Sequence, residues 1–395
     1  MRMNMKNKAL AIILFSIALA VSPKLFSQSS GELNAIQTVV PFLTIAPDSR
    51  AGAMGDAGVA TSPDLYSMHW NPAKFAFIDG KAGAAISYSP WLRNLVPDIN
   101  IAYASGYYRL DKKQVLNTSL IYSSLGDVQF TDETGVELRT FKPNEWSFDL
   151  GYSRLFTENL SGGIAFRFIY SNLTGGSPSG GEDTKPGISF AADISSYYQK
   201  DITLFKKNAL LAFGINFSNI GSKMSYSDSQ TSDFIPMNMR LGTACTINAD
   251  NFNKITLTVD FNKLLVPTPP IYDITNPDSI IDGKDPNVAV PVAFFQSFYD
   301  APGGFGEELR EITISLGAEY WYNDQFAIRA GYFHENETKG NRKYFTTGAG
   351  FRLRGFTVDF SYLMPLVQNH PLARTLRFSL AFDINALRNS SKSKG

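Results

Sequence analysis

The chain contains many segments of about ten residues in which apolar and polar side chains alternate. The clearest example places an aromatic or aliphatic residue at every second position, as in Trp146-Ser147-Phe148-Asp149-Leu150-Gly151-Tyr152-Ser153. Because successive side chains of a β-strand point to opposite faces, each segment is predicted to be a strand with one apolar face. The pattern predicts about fourteen strands, near residues 81–89, 98–110, 114–125, 144–156, 159–172, 187–199, 207–218, 236–248, 253–264, 309–322, 325–334, 342–354, 355–364 and 373–385.

The predicted connections sort by length. Those after even-numbered strands are short, whereas those after odd-numbered strands are long, most clearly at residues 126–143, 173–186, 219–235 and 265–308. Short turns at one end and long loops at the other are typical of outer-membrane β-barrels. A soluble β-sandwich also alternates, but the bulky aromatic faces and the sorted loops favour the membrane barrel. This reading places both termini on the periplasmic side and the long loops outside the cell.

The segment from Ser49 to Ala73 precedes the strands and is rich in glycine and alanine. A barrel of about fourteen strands has a lumen wide enough to need filling. We therefore predict an all-β fold, a transmembrane antiparallel β-barrel of about 14 strands with this N-terminal plug segment in its lumen. The candidate plug residues are Arg50, Met54, Asp56, Asp64, Asn71 and Pro72.

Charged residues of both signs recur on the polar face of the predicted strands. They are Asp149, Arg167, Asp193, Arg240, Asp260, Glu319, Arg329, Asp359 and Arg377. The simplest expectation is that they pair with one another and keep the lumen polar. The alternative is that they hold the plug or select a passing solute.

The amino-acid composition is typical of a membrane protein and argues against some classes of function. Aromatic residues make up 13% and charged residues 18% of the chain, and the formal net charge is 0, so no nucleic-acid partner is expected. Residues 1–27 resemble a secretory signal peptide, and no later apolar run reaches the ~18 residues that a membrane helix needs. The predicted domains are this signal, a periplasmic plug segment at 28–80, the barrel at 81–385 and a basic periplasmic tail at 386–395. The single cysteine, Cys245, excludes a disulfide framework.

Two apolar groups fall in predicted loops. The proline-rich loop 265–308 carries Phe294, Phe295, Phe298 and Tyr299, and the first long loop carries Trp91 and Leu92 beside Leu95. Exposed apolar patches often mark contact surfaces, so these residues are candidates for binding a partner or cargo. The alternative for the longer loop is that it folds back over the barrel mouth as a lid.

The sequence contains few candidates for catalytic or metal-binding residues. Asp64, Ser67 and His69 resemble parts of a hydrolase site, but triad partners meet by folding rather than by lying within six residues, and no nucleophile elbow is present. The three histidines lack metal-ligand spacing. We therefore predict no enzyme activity, no metal and no cofactor.

Three stretches near the N-terminus carry a family resemblance. They are Ile36-Gln37-Thr38-Val39-Val40-Pro41-Phe42-Leu43, Pro47-Asp48-Ser49-Arg50-Ala51-Gly52-Ala53-Met54-Gly55-Asp56-Ala57-Gly58-Val59-Ala60 and His69-Trp70-Asn71-Pro72-Ala73-Lys74. They resemble the start of the PorV (LptO) family, outer-membrane proteins of the type IX secretion system. The shorter pattern within them is shared with the wider FadL-like barrel superfamily.

The resemblance implies a function in protein transport at the cell surface. PorV proteins bind the C-terminal signal domain of secreted cargo, dock to the translocon barrel Sov/SprA and hand cargo to the attachment-complex proteins PorU, PorQ and PorZ. One alternative is a FadL-like transporter of hydrophobic small molecules, which calls for an apolar path through the lumen. Another is an enzyme that modifies lipid A or O-antigen, for which the sequence shows no catalytic set.

Overall fold

The strands close into one antiparallel barrel. The computed structural model describes residues 33–92, 96, 98–131, 134–176, 183–228, 232–276, 278–367 and 370–384, so the predicted signal peptide and the basic tail lie outside the described residues. Fourteen strands form the barrel, and each pairs with its sequence neighbours. They are β1 (Ala82–Pro90), β2 (Ile99–Arg109), β3 (Gln114–Leu125), β4 (Asn144–Leu155), β5 (Leu160–Asn172), β6 (Gly187–Leu204), β7 (Lys207–Gly221), β8 (Asn238–Asn248), β9 (Asn253–Leu264), β10 (Thr313–Tyr322), β11 (Phe326–His334), β12 (Lys343–Leu353), β13 (Phe356–Pro365) and β14 (Leu376–Asp383).

The barrel is closed by pairing of the first and last strands. The register of β1 and β14 runs from Gly83 opposite Asp383 to Tyr88 opposite Phe378. Closure leaves no free strand edge, which is what a β-structure in a bilayer requires. The predicted fold class is therefore confirmed.

Alternation assigns the two faces of the wall as predicted. On β4, Phe148 is 41% exposed and points outward, whereas its neighbour Asp149 is 3% exposed and points into the lumen. The outward face of the barrel is dominated by exposed aromatic and aliphatic side chains, such as Phe166, Phe190 and Leu257. An apolar exterior around a polar interior is the arrangement that lets a barrel span lipid.

The two ends of the barrel differ as predicted. At one end, which we call the short-turn end, β10 and β11 are joined by a tight turn in which Asn323 and Asp324 both have φ of 53°. Two consecutive residues with positive φ define the turn type that best fits two-residue hairpins. At the other end, the long-loop end, the connections are longer and carry structure of their own. They include two small hairpins, Val128–Thr131 with Glu137–Phe141 and Ile271–Tyr272 with Ile280–Asp282.

Short helices occur in the N-terminal segment and in the longest loop. The N-terminal segment contains α1 (Ser49–Gly52), α2 (Ser67–Trp70) and two 3-10 turns, Pro41–Thr44 and Pro72–Phe77. The loop between β9 and β10 contains α3 (Val290–Gln296) and α4 (Phe305–Arg310), which the sequence analysis did not predict. None of the helices in the described residues could span a bilayer.

The N-terminal segment enters the barrel from the long-loop end. The backbone N–H of Asn34 donates to Thr338 O (3.0 Å), and that of Val39 donates to Phe234 O (3.1 Å), both in long loops. Residues 34–48, which we call the strap, lead from there into the lumen, and the chain then reaches β1 at the short-turn end. Asn34 and Asp383 therefore lie at opposite ends of the barrel. The two termini, which were predicted to lie on the periplasmic side, are outside the described residues.

Candidate functional site

The lumen is filled by the plug, and the wall carries glycines where the two touch. A Cβ atom on Gly331 would lie 2.0 Å from the backbone nitrogen of Gly55, and one on Gly214 would lie 2.2 Å from Val59 O. Neither distance is compatible with a side chain, so the plug backbone packs directly against the strands. The wall glycines with such contacts to the plug are Gly163, Gly214, Gly242, Gly317, Gly331 and Gly348.

Wall serines satisfy the carbonyl groups of the plug and the strap. Ser105 donates to Leu65 O (2.6 Å), and Ser87 donates to Pro47 O (2.6 Å). Ser153 and Ser161 donate to Pro72 O and Ala73 O, each at 2.7 Å. Buried backbone groups need such partners, because an unpaired one costs free energy. The sequence analysis missed these serines, although their positions on the inward face of strands were a usable signal.

A chain of charges joins the plug to the wall. The Arg50 guanidinium donates to Asp64 of the plug (2.8 Å) and forms two hydrogen bonds to Glu319 on β10. Glu319 also accepts from Arg329 Nε (2.7 Å), and Arg329 Nη1 donates to Asp359 (2.7 Å). Two cations therefore alternate with three carboxylates across the lumen. The structure brings together the predicted residues Arg50 and Asp64.

The other predicted plug residues also contact the wall. Asp56 accepts a hydrogen bond from the Tyr344 hydroxyl (2.5 Å) and lies 3.6 Å from Arg377. Asn71 donates to Ser196 O (3.0 Å), and its side-chain oxygen caps the 3-10 turn that begins at Pro72. Met54 is buried, with its Cβ near the position that a side chain on Gly317 would occupy.

Two further contacts of the plug involve the carboxylates of Asp48 and of Asp260, the second of which is one of the predicted lumen charges. Asp48 caps α1 through the N–H of Ala51 (2.8 Å) and accepts from Trp70 Nε1 (2.7 Å). On the wall, Asp260 accepts from the N–H groups of Gly58 (2.7 Å) and Val59 (2.9 Å). A charged lumen residue can therefore hold plug backbone as well as plug side chains.

Away from the plug, lumen charges pair with each other. Arg167 lies between Asp149 (2.7 Å) and Asp193 (3.2 Å), and all three side chains are buried. This pairing follows the simpler of the two roles expected from the sequence. Arg240 is different, because no carboxylate lies within ion-pair distance of it among the described residues.

The plug lies between two cavities. The cavity toward the long loops has a volume of about 300 Å³ and is lined by residues that include Trp70, Trp91 and Arg240. The cavity toward the short turns has a volume of about 280 Å³ and is lined by residues that include Arg50 and Asp359. Two small chambers separated by packed protein fit a closed lumen better than an open pore.

Helix α3 packs against the outside of the wall rather than over the barrel mouth. Ala293 and Phe294 belong to one cluster with Phe217 of β7 and Met239 of β8, which lie on the outward faces of their strands. The ring of Phe294 is 5.7 Å from that of Phe217. The predicted contact residue Phe294 is therefore half-buried, and the expectation of a lid is wrong for this helix.

Three predicted contact residues of the same loop are exposed. Phe295 is 67% exposed, Phe298 is 42% exposed and Tyr299 is 58% exposed. With Val292, which is also exposed, these apolar side chains on α3 and just after it are called the α3 patch (Val292, Phe295, Phe298 and Tyr299). Lys284 lies over the Tyr299 ring at 3.7 Å.

The base of this loop is fixed by buried charges. Lys263 donates to Glu308 (2.8 Å) and to Glu311 (2.5 Å), both of which belong to α4 or follow it directly. Burial raises the pKa of Asp300 to about 6, the N–H of Thr268 opposes this rise, and the two nearby glutamates add to it. The α3 patch is therefore held on a structured loop.

Trp91 and Leu92 do not form the exposed group that the sequence suggested. Both are half-buried and pack against a cluster that includes Phe333, Tyr344 and Leu363. Trp91 also faces the long-loop cavity. The expectation was wrong because Trp91 and Leu92, directly after β1, pack against apolar side chains of the barrel instead of facing solvent. Leu95 lies outside the described residues.

The residues that resembled a hydrolase site have structural partners. Ser67 Oγ donates to Asp64 Oδ1 (3.1 Å) within a local turn, and the Asp64 carboxylate also binds Arg50. The His69 ring packs edge-on against Trp70 with ring centroids 4.8 Å apart. Within the described residues, no group of histidine, cysteine or acidic side chains is arranged to hold a metal ion.

The fold and the lumen define an outer-membrane β-barrel closed by its own N-terminal segment. Residues 28–271, more than half of the chain, match the sequence model of the family described as type IX secretion system protein PorV. The chain belongs to this family.

The chain is similar to several solved structures. The Pseudomonas putida toluene transporter TodX is 11% identical, with 89% of this chain and 98% of that chain covered and a TM-score of 0.49. The Ralstonia pickettii toluene transporter TbuX is 11% identical, with coverage of 89% and 98% and a TM-score of 0.44. A Pseudomonas aeruginosa FadL homologue is 11% identical, with coverage of 88% and 99% and a TM-score of 0.43. No curated protein matches the sequence.

Proposed function

We propose that this protein is a cargo shuttle of the type IX secretion system. It binds the C-terminal signal domain of secreted proteins, docks to the translocon barrel Sov/SprA and passes cargo to PorU, PorQ and PorZ. Membership of the PorV family supports a role in this system. The protein acts by binding and hand-off, and we assign it no catalytic step.

The observation that carries the proposal is the α3 patch on the outside of a plugged barrel. The lumen is packed with the plug, so a protein cargo has no route through it. Phe295 and Tyr299 instead present a large apolar surface beside the outward face of β7 and β8. Exposed aromatic side chains of this kind are common at the centre of protein interfaces. The α3 patch is therefore the surface at which we place docking.

The proposal includes an orientation of the barrel in the membrane. The long loops face the outside of the cell and the short turns face the periplasm, as is usual for outer-membrane barrels. In this orientation the α3 patch and the outer end of the strap both lie on the cell surface, where cargo is delivered.

The proposal is tested by removing the patch without changing the barrel. Phe295→Ser and Tyr299→Ser are combined in one variant, and Phe205→Ser serves as the matched control. Phe205 is 83% exposed and lies in the turn between β6 and β7, at the opposite end of the barrel. The measurements are co-purification of the translocon barrel from membranes and the processing of secreted cargo.

The double variant is expected to co-purify less translocon and to leave cargo with its signal domain uncleaved, because interface aromatics carry much of the binding energy. The Phe205→Ser variant is expected to behave like the unchanged protein. Normal cargo processing in a strain that lacks the protein altogether would rule out the shuttle.

The second candidate is a transporter of hydrophobic small molecules. The long-loop cavity favours it, since Trp91, Phe333 and Leu372 provide apolar lining inside the lumen. The dense contacts between plug and wall weigh against a continuous path. Uptake of a labelled fatty acid at the same rate with and without the protein would eliminate this candidate.

A further inference from the structure

The long-loop cavity contains an arginine that has no ion-pair partner in the part of the chain that the structure describes. Arg240 on β8 is 5% exposed and lines this cavity. Its Nη1 donates to His69 O at 2.8 Å. Its Nε and Nη2 have no hydrogen-bond partner among the described residues. Neither of these two nitrogen atoms is fully buried, so both are open to the cavity and can donate to a ligand there.

The other charges around the cavity are already paired. Lys339 binds Glu311 (3.0 Å), and Arg342 binds Glu335 (2.7 Å). The two carboxylates on strands near Arg240 are also engaged. Asp193 pairs with Arg167, and Asp260 accepts from plug N–H groups through Oδ2, while its Oδ1 has no hydrogen-bond partner among the described residues. The cavity therefore presents one positive charge that is not compensated by a direct contact.

The surroundings of Arg240 add polar and aromatic groups. Asn216 on β7 and Asn262 on β9 lie opposite it in register, and the side-chain oxygen of each is buried without a partner. The guanidinium carbon lies 5.0 Å from the Trp70 ring. Free donors, free acceptors and an aromatic surface thus meet at one place in the lumen.

We infer that the long-loop cavity is a binding site for a small organic carboxylate. The carboxylate accepts hydrogen bonds from Nε and Nη2 of Arg240, an arrangement in which two parallel bonds fix both position and charge. The apolar part of the ligand lies against Trp91 and Phe333. A volume of about 300 Å³ is at the lower end for ligand sites, so the ligand is small.

Such a carboxylate has two possible sources, a short-chain acid or the C-terminus of a peptide. The probes are therefore hexanoate and acetyl-alanyl-alanine. Each has a neutral counterpart, 1-hexanol and the dipeptide amide. Binding to the full-length barrel in lipid nanodiscs is measured by isothermal titration calorimetry. The acid that binds with the higher affinity identifies the source of the carboxylate.

At least one acid is expected to bind and its neutral counterpart to bind about tenfold more weakly or worse, since hydrogen bonds to a charged group are worth about 1.5–3 kcal/mol. Arg240→Gln is expected to lose at least about tenfold in affinity for that acid. Arg240→Lys keeps the positive charge but lacks the planar guanidinium that can donate two parallel hydrogen bonds, so it is expected to bind the acid with intermediate affinity. Arg352→Gln, an exposed arginine beside the short-turn cavity, is the matched control and is expected to bind normally.

Three results would overturn the inference. They are the absence of binding by both acids, equal binding of an acid and its neutral counterpart, or unchanged binding by Arg240→Gln. Retention of the heat-dependent mobility shift of a folded barrel in each variant separates loss of the site from loss of the fold. The inference does not rest on the shuttle proposal, because carboxylate binding by the purified barrel and cargo processing in cells are measured independently.

Discussion

Arg50 of the plug and Glu319 of β10 form a buried, two-bonded ion pair, with Nε 3.0 Å from one carboxylate oxygen and Nη2 2.8 Å from the other. The arginine side chain is 9% exposed and the glutamate side chain 2% exposed. Glu319 also binds Arg329, so one carboxylate serves two cations. The pair connects the plug firmly to the wall, since charged, bidentate hydrogen bonds exceed neutral ones in strength.

Replacing this carboxylate is predicted to destabilise the protein strongly. Glu319→Gln leaves Arg50 and Arg329 buried with less negative charge around them, and breaking a buried pair from one side costs about 3–5 kcal/mol. The free energy of unfolding, measured by urea titration in detergent, is expected to fall by that order. Lys254→Gln is the control, because Lys254 pairs with Asp324 on the surface, where a pair is worth about 0–1 kcal/mol. Similar losses in the two variants would contradict the role of the buried pair.

Adding a side chain to the wall beneath the plug is predicted to open the lumen. Gly331→Leu would force atoms into the space occupied by Gly55 and Met54, while the strand itself can accept leucine. The plug is expected to shift, and the barrel is expected to remain closed, because β11 keeps its hydrogen bonds to β10 and β12. Conductance across a planar bilayer is expected to rise above that of the unchanged protein. Gly306→Ala in α4, where a Cβ atom meets nothing within 4 Å, is expected to leave the conductance unchanged.

The barrel could be predicted from the sequence alone because two constraints act on every strand. Lipid outside and a polar lumen inside force a strict alternation, so all fourteen strands and the sorted connections could be predicted from residues such as Phe148 and Asp149. Helices α3 and α4 could not be predicted in this way. The sequence of α3 is rich in aromatic and β-branched residues, and the helix forms where Phe294 packs on Phe217 and Met239. The secondary structure of such a segment is determined by tertiary packing rather than by its local helix propensity.

The residue types that form the contacts between plug and wall could be predicted from the sequence, but which residues pair with each other could not. Small residues marked the plug, and Arg50 and Asp64 were among its candidate residues. That Glu319 would be the partner depends on the depth at which the plug crosses the lumen, and 269 residues separate the two in the sequence. The path of the strap was missed for the same reason, because nothing local in residues 34–48 indicates which end of the barrel it comes from.

The stability of the longest loop is predicted to depend on pH through Asp300. Burial raises the pKa of this carboxyl from 3.8 to about 6, so the folded loop binds its proton more tightly than the unfolded chain does. Because the folded state binds more protons, the contribution of Asp300 to stability is present below about pH 4 and is lost as the pH rises through about 6. Limited proteolysis of the loop is expected to be slower at pH 5 than at pH 7. Asp300→Asn keeps an acceptor for the Thr268 N–H without the charge, and it is expected to remove this difference and to protect the loop at pH 7. A pH dependence that persists unchanged in this variant would assign it to another group.

The outer end of the strap is predicted to be accessible from outside the cell in the proposed orientation. Gln37 is exposed and lies between Asn34 and Val39, whose N–H groups bond to long loops. In a Cys245→Ser background, Gln37→Cys is expected to react with a membrane-impermeant maleimide on intact cells. Lys112→Cys, in the exposed short turn between β2 and β3, is expected to react only after the cells are permeabilised. The reverse pattern would show that the long loops face the periplasm. If Lys112→Cys reacts after permeabilisation but Gln37→Cys never reacts, the strap does not reach the long-loop end of the barrel. The expected pattern would place residue 37 and the turn between β2 and β3 on opposite sides of the membrane, as the entry of the strap from the long-loop end requires.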